Sequence, residues 1–451
     1  MNEYVRYAAL LAVVMFALPI VLRIMHGNTT LPGTEPYYHA RMSERIVTGV
    51  PATDDAIVWG RPYHVLPYEF LLGGVYLVFG TRSFTLVPFL LAVASFFIFW
   101  ILIERVGSSK AQQGWMLLVF SLSPAVIAAG FFGTPHAFLL VLVLLAAVLM
   151  MGRGWPLGAV LFLVCAFSGV VGIMGAVTFL LLLAFLRKGK IEQISVVLLL
   201  IAVIFVIGIY PPTLLLSRDA FQYLSDVGGV YGFSVFAVLL AVIGAIQLME
   251  YKLRYYGVFA TVFFFVVGCF FFPDLLIFGS VIVSMLAGVA LASFATRKWT
   301  LQFIRAASML VLFCGLLFSG ISHAVALADV SPTPSMLRVL NVTPGVVFSH
   351  EKYGFWIEAA GHRAVIDGGW EQSMRASELR YDADVLLGST DLEKTRELLE
   401  KYNVTYVLIT AEMEHGLVWE REEQGLDFLV ENSETFKKID STSKMKMWKV
   451  R

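Results

Sequence analysis

Charge is scarce in this 451-residue chain: 15% of the residues are charged against 58% hydrophobic, and mean hydropathy is +0.78. That balance excludes an ordinary water-soluble domain and implies a polytopic membrane protein. Cysteine is nearly absent. Cys165, Cys269 and Cys314 all fall inside apolar runs, so a disulfide scaffold in the polar tail is excluded and packing roles are expected. Ionisable groups are also few within the apolar runs, with Asp274, His136 and Arg305 at run ends and His323 near the exit of the last. Transporters and channels carry charges or broken helices around a midplane site, so this scarcity argues against transport. Lys+Arg and Asp+Glu balance at 33 each, but that balance says nothing about partners because the two signs are segregated along the chain; no nucleic-acid partner is expected.

What is present is a series of apolar runs near 5–24, 84–103, 114–130, 136–151, 156–172, 174–186, 193–210, 231–249, 255–272, 274–295 and 303–325. They predict about 11 to 13 helical spans on the usual length argument. The first run is too long for a typical signal-peptide core and lacks a small-residue cleavage site, so it reads as an uncleaved span. The stretch Val65–Gly80 holds Glu69 and is read as an interfacial or re-entrant helix. With that stretch outside, the loops carrying Arg105 and Lys110, Arg153, Arg187 with Lys188 and Lys190, Lys252 with Arg254, and Arg297 with Lys298 all become cytoplasmic, as the positive-inside rule requires. The N-terminus is then cytoplasmic and the tail external, and Glu35, Asp54, Asp55, Glu69, Asp219, Asp226, Asp274 and Asp367 share the outer face.

Composition shifts near Asp329. The expected organisation is a membrane domain at 1–328, with a large first external loop at 25–83, followed by a small extracytoplasmic α/β domain at 329–451. In that tail, strands are predicted at Val346–Ser349, Ala364–Asp367, Val385–Leu387 and Val404–Thr410. A helix is predicted over Asp391–Tyr402, with a capping box from Thr390 and Glu393, and a closing hairpin over Thr435–Asp440 and Lys444–Val450.

Three motifs stand out: Glu35-Pro36-Tyr37-Tyr38-His39-Ala40-Arg41, Gly130-Phe131-Phe132-Gly133-Thr134-Pro135-His136, and Tyr353-Gly354-Phe355-Trp356-Ile357 followed by Ala364-Val365-Ile366-Asp367-Gly368-Gly369. In order and spacing they resemble the oligosaccharyltransferase catalytic-subunit family, nearest to its short archaeal members. The resemblance implies a GT-C membrane fold, a polyprenyl-phosphate-linked saccharide donor such as a dolichol carrier, an acceptor protein or other acceptor, membrane lipids around it, and a multi-pass place in the plasma membrane. It also implies a catalytic, metal-ligating carboxylate at Glu35 for Mg or Mn. His39, Arg41, Asp54, Arg61, His136 and Tyr353 are the expected substrate-binding residues, since guanidinium and imidazole groups suit phosphate oxygens.

The departures from the family are specific. Its second acidic pair is replaced at Gly133 and Pro135, and its Trp-Trp-Asp-Tyr-Gly reads His350-Glu351-Lys352-Tyr353-Gly354. The loop Pro211–Val230 offers only Asp219 and Asp226 for an acceptor-binding glutamate, and no arginine lies between Arg254 and Arg297. A divalent ion of this type takes about six oxygen ligands, so Glu35 alone is a poor site. Two readings follow. One is a glycosyltransferase using Glu35 as a single acid without metal; the other is an inactive paralogue that binds lipid-linked glycan or assembles beside an active glycosyltransferase. Asn28-Thr29-Thr30, Asn341-Val342-Thr343 and Asn403-Val404-Thr405 fit the glycosylation pattern.

Overall fold

The computed structural model describes residues 3–49, 53–63, 66–187, 223–249, 252–421 and 424–451. It divides into two compact units: Met1–His26, Leu66–Tyr68 and Thr85–Asp329 form the first, and Gly27–Val65, Glu69–Phe84 and Val330–Arg451 the second. The predicted run at 193–210, Arg218, Asp219 and His64 lie outside the described residues.

The first unit is helical. The other ten apolar runs are largely helical; that at 114–130 is a bent helix pair, and that at 156–172 crosses the break between the Trp155–Phe167 and Val170–Arg187 helices. Among the described residues four helical stretches are long and apolar enough to cross a membrane: Glu3–Met25, Pro67–Arg105, Pro273–Thr296 and Gln302–Ala328. The pair Lys110–Ser121 and Pro124–Phe131, bent by 53°, makes a fifth if counted as one span, and five shorter apolar helices of 10–17 residues accompany them. Phe263, Phe264, Phe303 and Phe318 are 65–81% exposed, which suits lipid far better than water. Inside, close packing uses small residues: a Cβ on Gly244 would lie 2.0 Å from the Leu286 carbonyl oxygen, so the Val235–Met249 and Leu276–Thr296 helices meet backbone to backbone. The expected interfacial helix at Val65–Gly80 is a helix at Pro67–Phe79, which continues through a 3-10 turn at Gly80–Arg82 into Ser83–Arg105.

The second unit contains a two-stranded ribbon, β1 (Thr53–Asp54) with β2 (Arg61–Pro62), and a five-stranded sheet. The sheet uses β3 (Val346–Phe348), β4 (Arg363–Ala364), β5 (Val404–Thr410), β6 (Phe436–Ser441) and β7 (Met445–Val450) in the order β4-β3-β5-β7-β6. β3 runs parallel to β4 and β5, while β7 is antiparallel to both β5 and β6. β5, paired on both sides, is buried along nearly all its length, which explains its near-continuous apolar sequence.

Two local expectations are corrected. Val385–Leu387 is not a strand but the end of the Ala376–Gly388 helix, whose Leu379, Ala383, Leu386 and Leu387 are buried at helical spacing. The cap of the Leu392–Lys401 helix is Asp391, accepting from the Glu393 and Lys394 N–H groups, rather than Thr390.

The first loop is built into this unit. Val58 N–H donates to the Ala364 carbonyl at 2.9 Å and Ala364 N–H to the Ala56 carbonyl at 2.8 Å, extending the sheet edge. Trp356 Nε1 donates to the Gly33 carbonyl at 2.9 Å. The sequence assigns residues 25–83 to the membrane portion as its loop, yet most of that stretch folds with the tail.

Candidate active site

The Glu35–Thr48 helix opens the site. Pro36 falls in its first turn and no side chain caps it, and the positive end of the helix dipole favours a carboxylate at Glu35. Spacing of four residues puts Glu35 and His39 on one face, with Glu35 Oε1 3.2 Å from His39 Nε2. On the other side of the ring, Nδ1 lies 3.0 Å from Glu69 Oε1, and Glu69 Oε2 accepts from the Tyr63 hydroxyl. The side chains of His39 and Glu69 are 3% and 0% exposed, that of Glu35 46%. Burial alone would lower the imidazole pKa, but hydrogen bonds to Glu35 and Glu69 and their charges outweigh it and carry His39 up to about 9. The ring is therefore an imidazolium clasped between two carboxylates, one buried and one reaching solvent.

A second charged group lies behind this row. Arg41 grips Asp54 with both terminal nitrogens, at 2.6 and 2.9 Å, and also reaches Glu358. Arg61 donates to Asp54 Oδ2 from Nη2 at 2.7 Å and from Nε at 3.1 Å, and from Nη1 to Asp367 at 2.5 Å. Its guanidinium sits 4.9 Å from the Tyr38 ring centroid, an arrangement favourable when desolvated. Asp54 is raised by burial but pulled lower on balance by its bonds to Arg41 and the charges of Arg41 and Arg61. Glu358 goes the other way, pushed well up by burial and by neighbouring Asp367 despite both arginines.

The glycines of the third motif make this group possible. A Cβ on Gly369 would lie 2.5 Å from Arg61 Nη1, and one on Gly354 would lie 2.4–2.6 Å from Asp367 and the Ile366 carbonyl. The Gly369 N–H also donates to Asp367 Oδ1 at 2.9 Å.

Glu35, His39, Arg41, Asp54 and Arg61, picked from sequence, thus come together within the second unit. Asp54 and Arg61, expected to face substrate, are buried and engaged with each other, so their geometry is that of a brace. Tyr353 is in the same unit but buried, its hydroxyl donating to Glu412 at 2.7 Å and its ring 5.2 Å from that of Trp356. His136 belongs to the first unit, where Nδ1 lies 2.7 Å from the Thr134 hydroxyl and Nε2 lies 3.8 Å from Asp274. Tyr63 joins the Glu35 cluster, and Glu69 and Glu358 complete the clusters without having been singled out as site residues. For Glu358 a signal existed: a carboxylate inside the apolar run Gly354-Phe355-Trp356-Ile357-Glu358-Ala359 needs buried cations.

The described residues around Glu35 do not fit the divalent metal implied by the family resemblance. Among the described residues no group of three His, Cys, Asp or Glu side chains is arranged to hold an ion. Glu35 and Glu69 instead face the same imidazolium, which supplies the positive charge itself.

No family model and no curated protein sequence matches the chain. Solved structures do. The oligosaccharyltransferase of Archaeoglobus fulgidus, tethered to an acceptor peptide containing the NVT sequon, is similar at TM-score 0.65 and 13% identity, over 92% of this chain and 70% of that one. The same organism's AglB, with an inhibitory peptide and a dolichol-phosphate, gives TM-score 0.66 at 12% identity over the same shares. ArnT from Cupriavidus metallidurans in the apo state gives TM-score 0.50 at 14% identity over 97% of both chains. The fold is thus of the GT-C type, a helical membrane portion with a sheet-containing C-terminal unit.

Proposed function

We propose that this chain is a GT-C-type membrane glycosyltransferase. It takes a sugar from a polyprenyl-phosphate-linked donor, a dolichol carrier among the fitting ones, and transfers it at the outer face of the plasma membrane, where the second unit lies. The observation that carries the proposal is the anchored Glu35: a half-exposed carboxylate held by a buried imidazolium, itself held by Glu69 and Tyr63. The likeness to AglB solved with a dolichol-phosphate and to an oligosaccharyltransferase tethered to an acceptor peptide supports the donor class and the presence of an acceptor.

In the reaction, Glu35 accepts the proton of the acceptor nucleophile as its lone pair attacks the anomeric carbon. The bond from that carbon to the phosphate oxygen breaks, and the carrier leaves as polyprenyl phosphate with the electron pair. His39 orients Glu35, and the Arg41–Asp54–Arg61 brace fixes the helix that carries both. One carboxylate of this kind suits a hydroxyl acceptor better than an asparagine amide, whose nitrogen is a poor nucleophile.

The test is turnover by the purified chain in proteoliposomes, with polyprenyl-linked sugars, hydroxyl and Asn-X-Thr peptide acceptors, with and without chelator. Turnover insensitive to chelator and reduced at least about 100-fold in Glu35→Gln, the scale of general-base loss, is the expected result. A second reading, a donor-binding or assembly subunit beside an active glycosyltransferase, is favoured by the lack of a metal-holding group among the described residues and by Gly133 and Pro135 in place of acids. Donor binding without turnover on any acceptor would select it.

A further inference from the structure

The bent pair Lys110–Ser121 and Pro124–Phe131 contains a helix break with an incomplete set of hydrogen bonds. Pro124 has no N–H, and the Ser123 N–H goes to the Phe120 carbonyl at 3.2 Å, three residues back rather than four. The Val119 carbonyl thereby loses the donor an unbroken helix would provide. Within an apolar span such freed groups persist where side chains or ordered water satisfy them.

At this break lies a small cavity lined by Val119, Leu122, Ser123 and Pro124 together with Ser234, just before the Val235–Met249 helix, and Ser284 of the Leu276–Thr296 helix. The hydroxyls of Ser234 and Ser284 have no hydrogen-bond partner among the described residues, although the two residues are only 2% and 1% exposed. Several other hydroxyls in the helices of this unit turn back onto their own helix, Ser121 donating to Leu117, Thr178 to Met174, Thr261 to Gly257 and Ser280 to Ile277, and Ser319 donates to Asp226. Ser284 does neither. Ser234 stands before the Val235–Met249 helix, yet the Val235 N–H is taken by Asp226 at 2.6 Å, and the Ser234 hydroxyl caps nothing. The room for the centre of a water molecule in this cavity is about 10 Å³, close to what one water needs.

We propose that this cavity is an internal binding site for a single water, bridging Ser234 and Ser284 and donating to a carbonyl freed at the break. The bound water fixes the 53° bend and so sets the direction in which the Pro124–Phe131 half delivers Thr134 and His136. The inference is independent of the proposed reaction.

Two measurements on the full-length chain in detergent test it. The first is thermal unfolding of Ser234→Ala, Ser284→Ala and the double variant. Removing a hydroxyl that has no partner is neutral or stabilising, whereas removing one that holds a water destabilises. Both single variants are expected to lower Tm, and the double variant to lower it by less than the sum of the two. Single variants with an unchanged or raised Tm, or a fully additive pair, would overturn the proposal. So would a Tm that rises with sodium over choline in wild type but not in the variants, since that marks a cation. The second is X-ray hydroxyl-radical labelling in ¹⁸O water: slow-exchanging oxygen incorporation at Leu122 or Leu316 is expected, and its absence in a chain labelled elsewhere overturns the site.

Discussion

His39 contributes a charge at a site where the described residues include no metal-holding set, and its consequences are measurable. Its pKa in the folded chain is raised to about 9 from 6.5, so its stabilising effect is complete below about 6.5 and is lost as pH rises through about 9. Wild type is expected to lose Tm between pH 7 and 10 relative to His39→Gln, which lacks the titrating ring; parallel pH profiles for the two would remove the imidazolium from the site. Asp54 is the sharper case. It is buried under three arginines, and breaking such a pair costs about 3–5 kcal/mol, so Asp54→Asn is expected to unfold far earlier in a thermal melt, while Asp55→Asn nearby stays close to wild type. Glu35 and His39 were each legible from sequence because they lie in one short motif, though their pairing was not read there. Glu69 was not, because its link to His39 spans 30 residues and depends on the tertiary path.

At the scale of elements, the glycines of the second unit divide into those that touch something and those that do not. Gly354→Ala and Gly369→Ala put a methyl into Asp367 and Arg61, where neither neighbour can move without breaking an ion pair. Each is expected to destabilise by about 1–3 kcal/mol, the usual range for overpacking. Gly388, at the end of the Ala376–Gly388 helix, has open space around its would-be Cβ, so Gly388→Ala is expected to leave the unfolding free energy within about 0.5 kcal/mol of wild type. Equal losses at all three positions would mean that backbone conformation, not contact, fixes these glycines. The same helix marks where reading elements from sequence fails. Val385-Leu386-Leu387 is a short apolar run that suits strand or helix, and only the burial of Leu379 and Ala383 upstream decides for helix. β5 had no such ambiguity, its β-branched and aromatic run being bounded by a turn at Asn403.

For the whole molecule, the apolar runs and the composition shift near Asp329 were readable because hydropathy is a local property. The membership of the first loop was not, because it rests on pairings across about 300 residues: Arg61 with Asp367, Arg41 with Glu358, and Ile57 beside Ala364. This predicts how the second unit responds to dissection. Residues 330–451 expressed alone would keep Glu358 and Asp367 inside the fold while losing both arginines, and would leave Ala364 without its partners at Ala56 and Val58. Burying the Asp367 carboxylate without a cation, and the Glu358 carboxyl without its hydrogen-bond partner on Arg41, is unfavourable enough to forbid the native packing. The isolated tail is therefore expected to show strand and helix signals in far-ultraviolet circular dichroism but no cooperative thermal transition. A chimera joining residues 27–63 to 330–451 through a flexible linker is expected to regain the transition. A tail that melts cooperatively by itself at the temperature of the chimera would mean that the sheet does not need the first loop, and that the arginine brace merely attaches it.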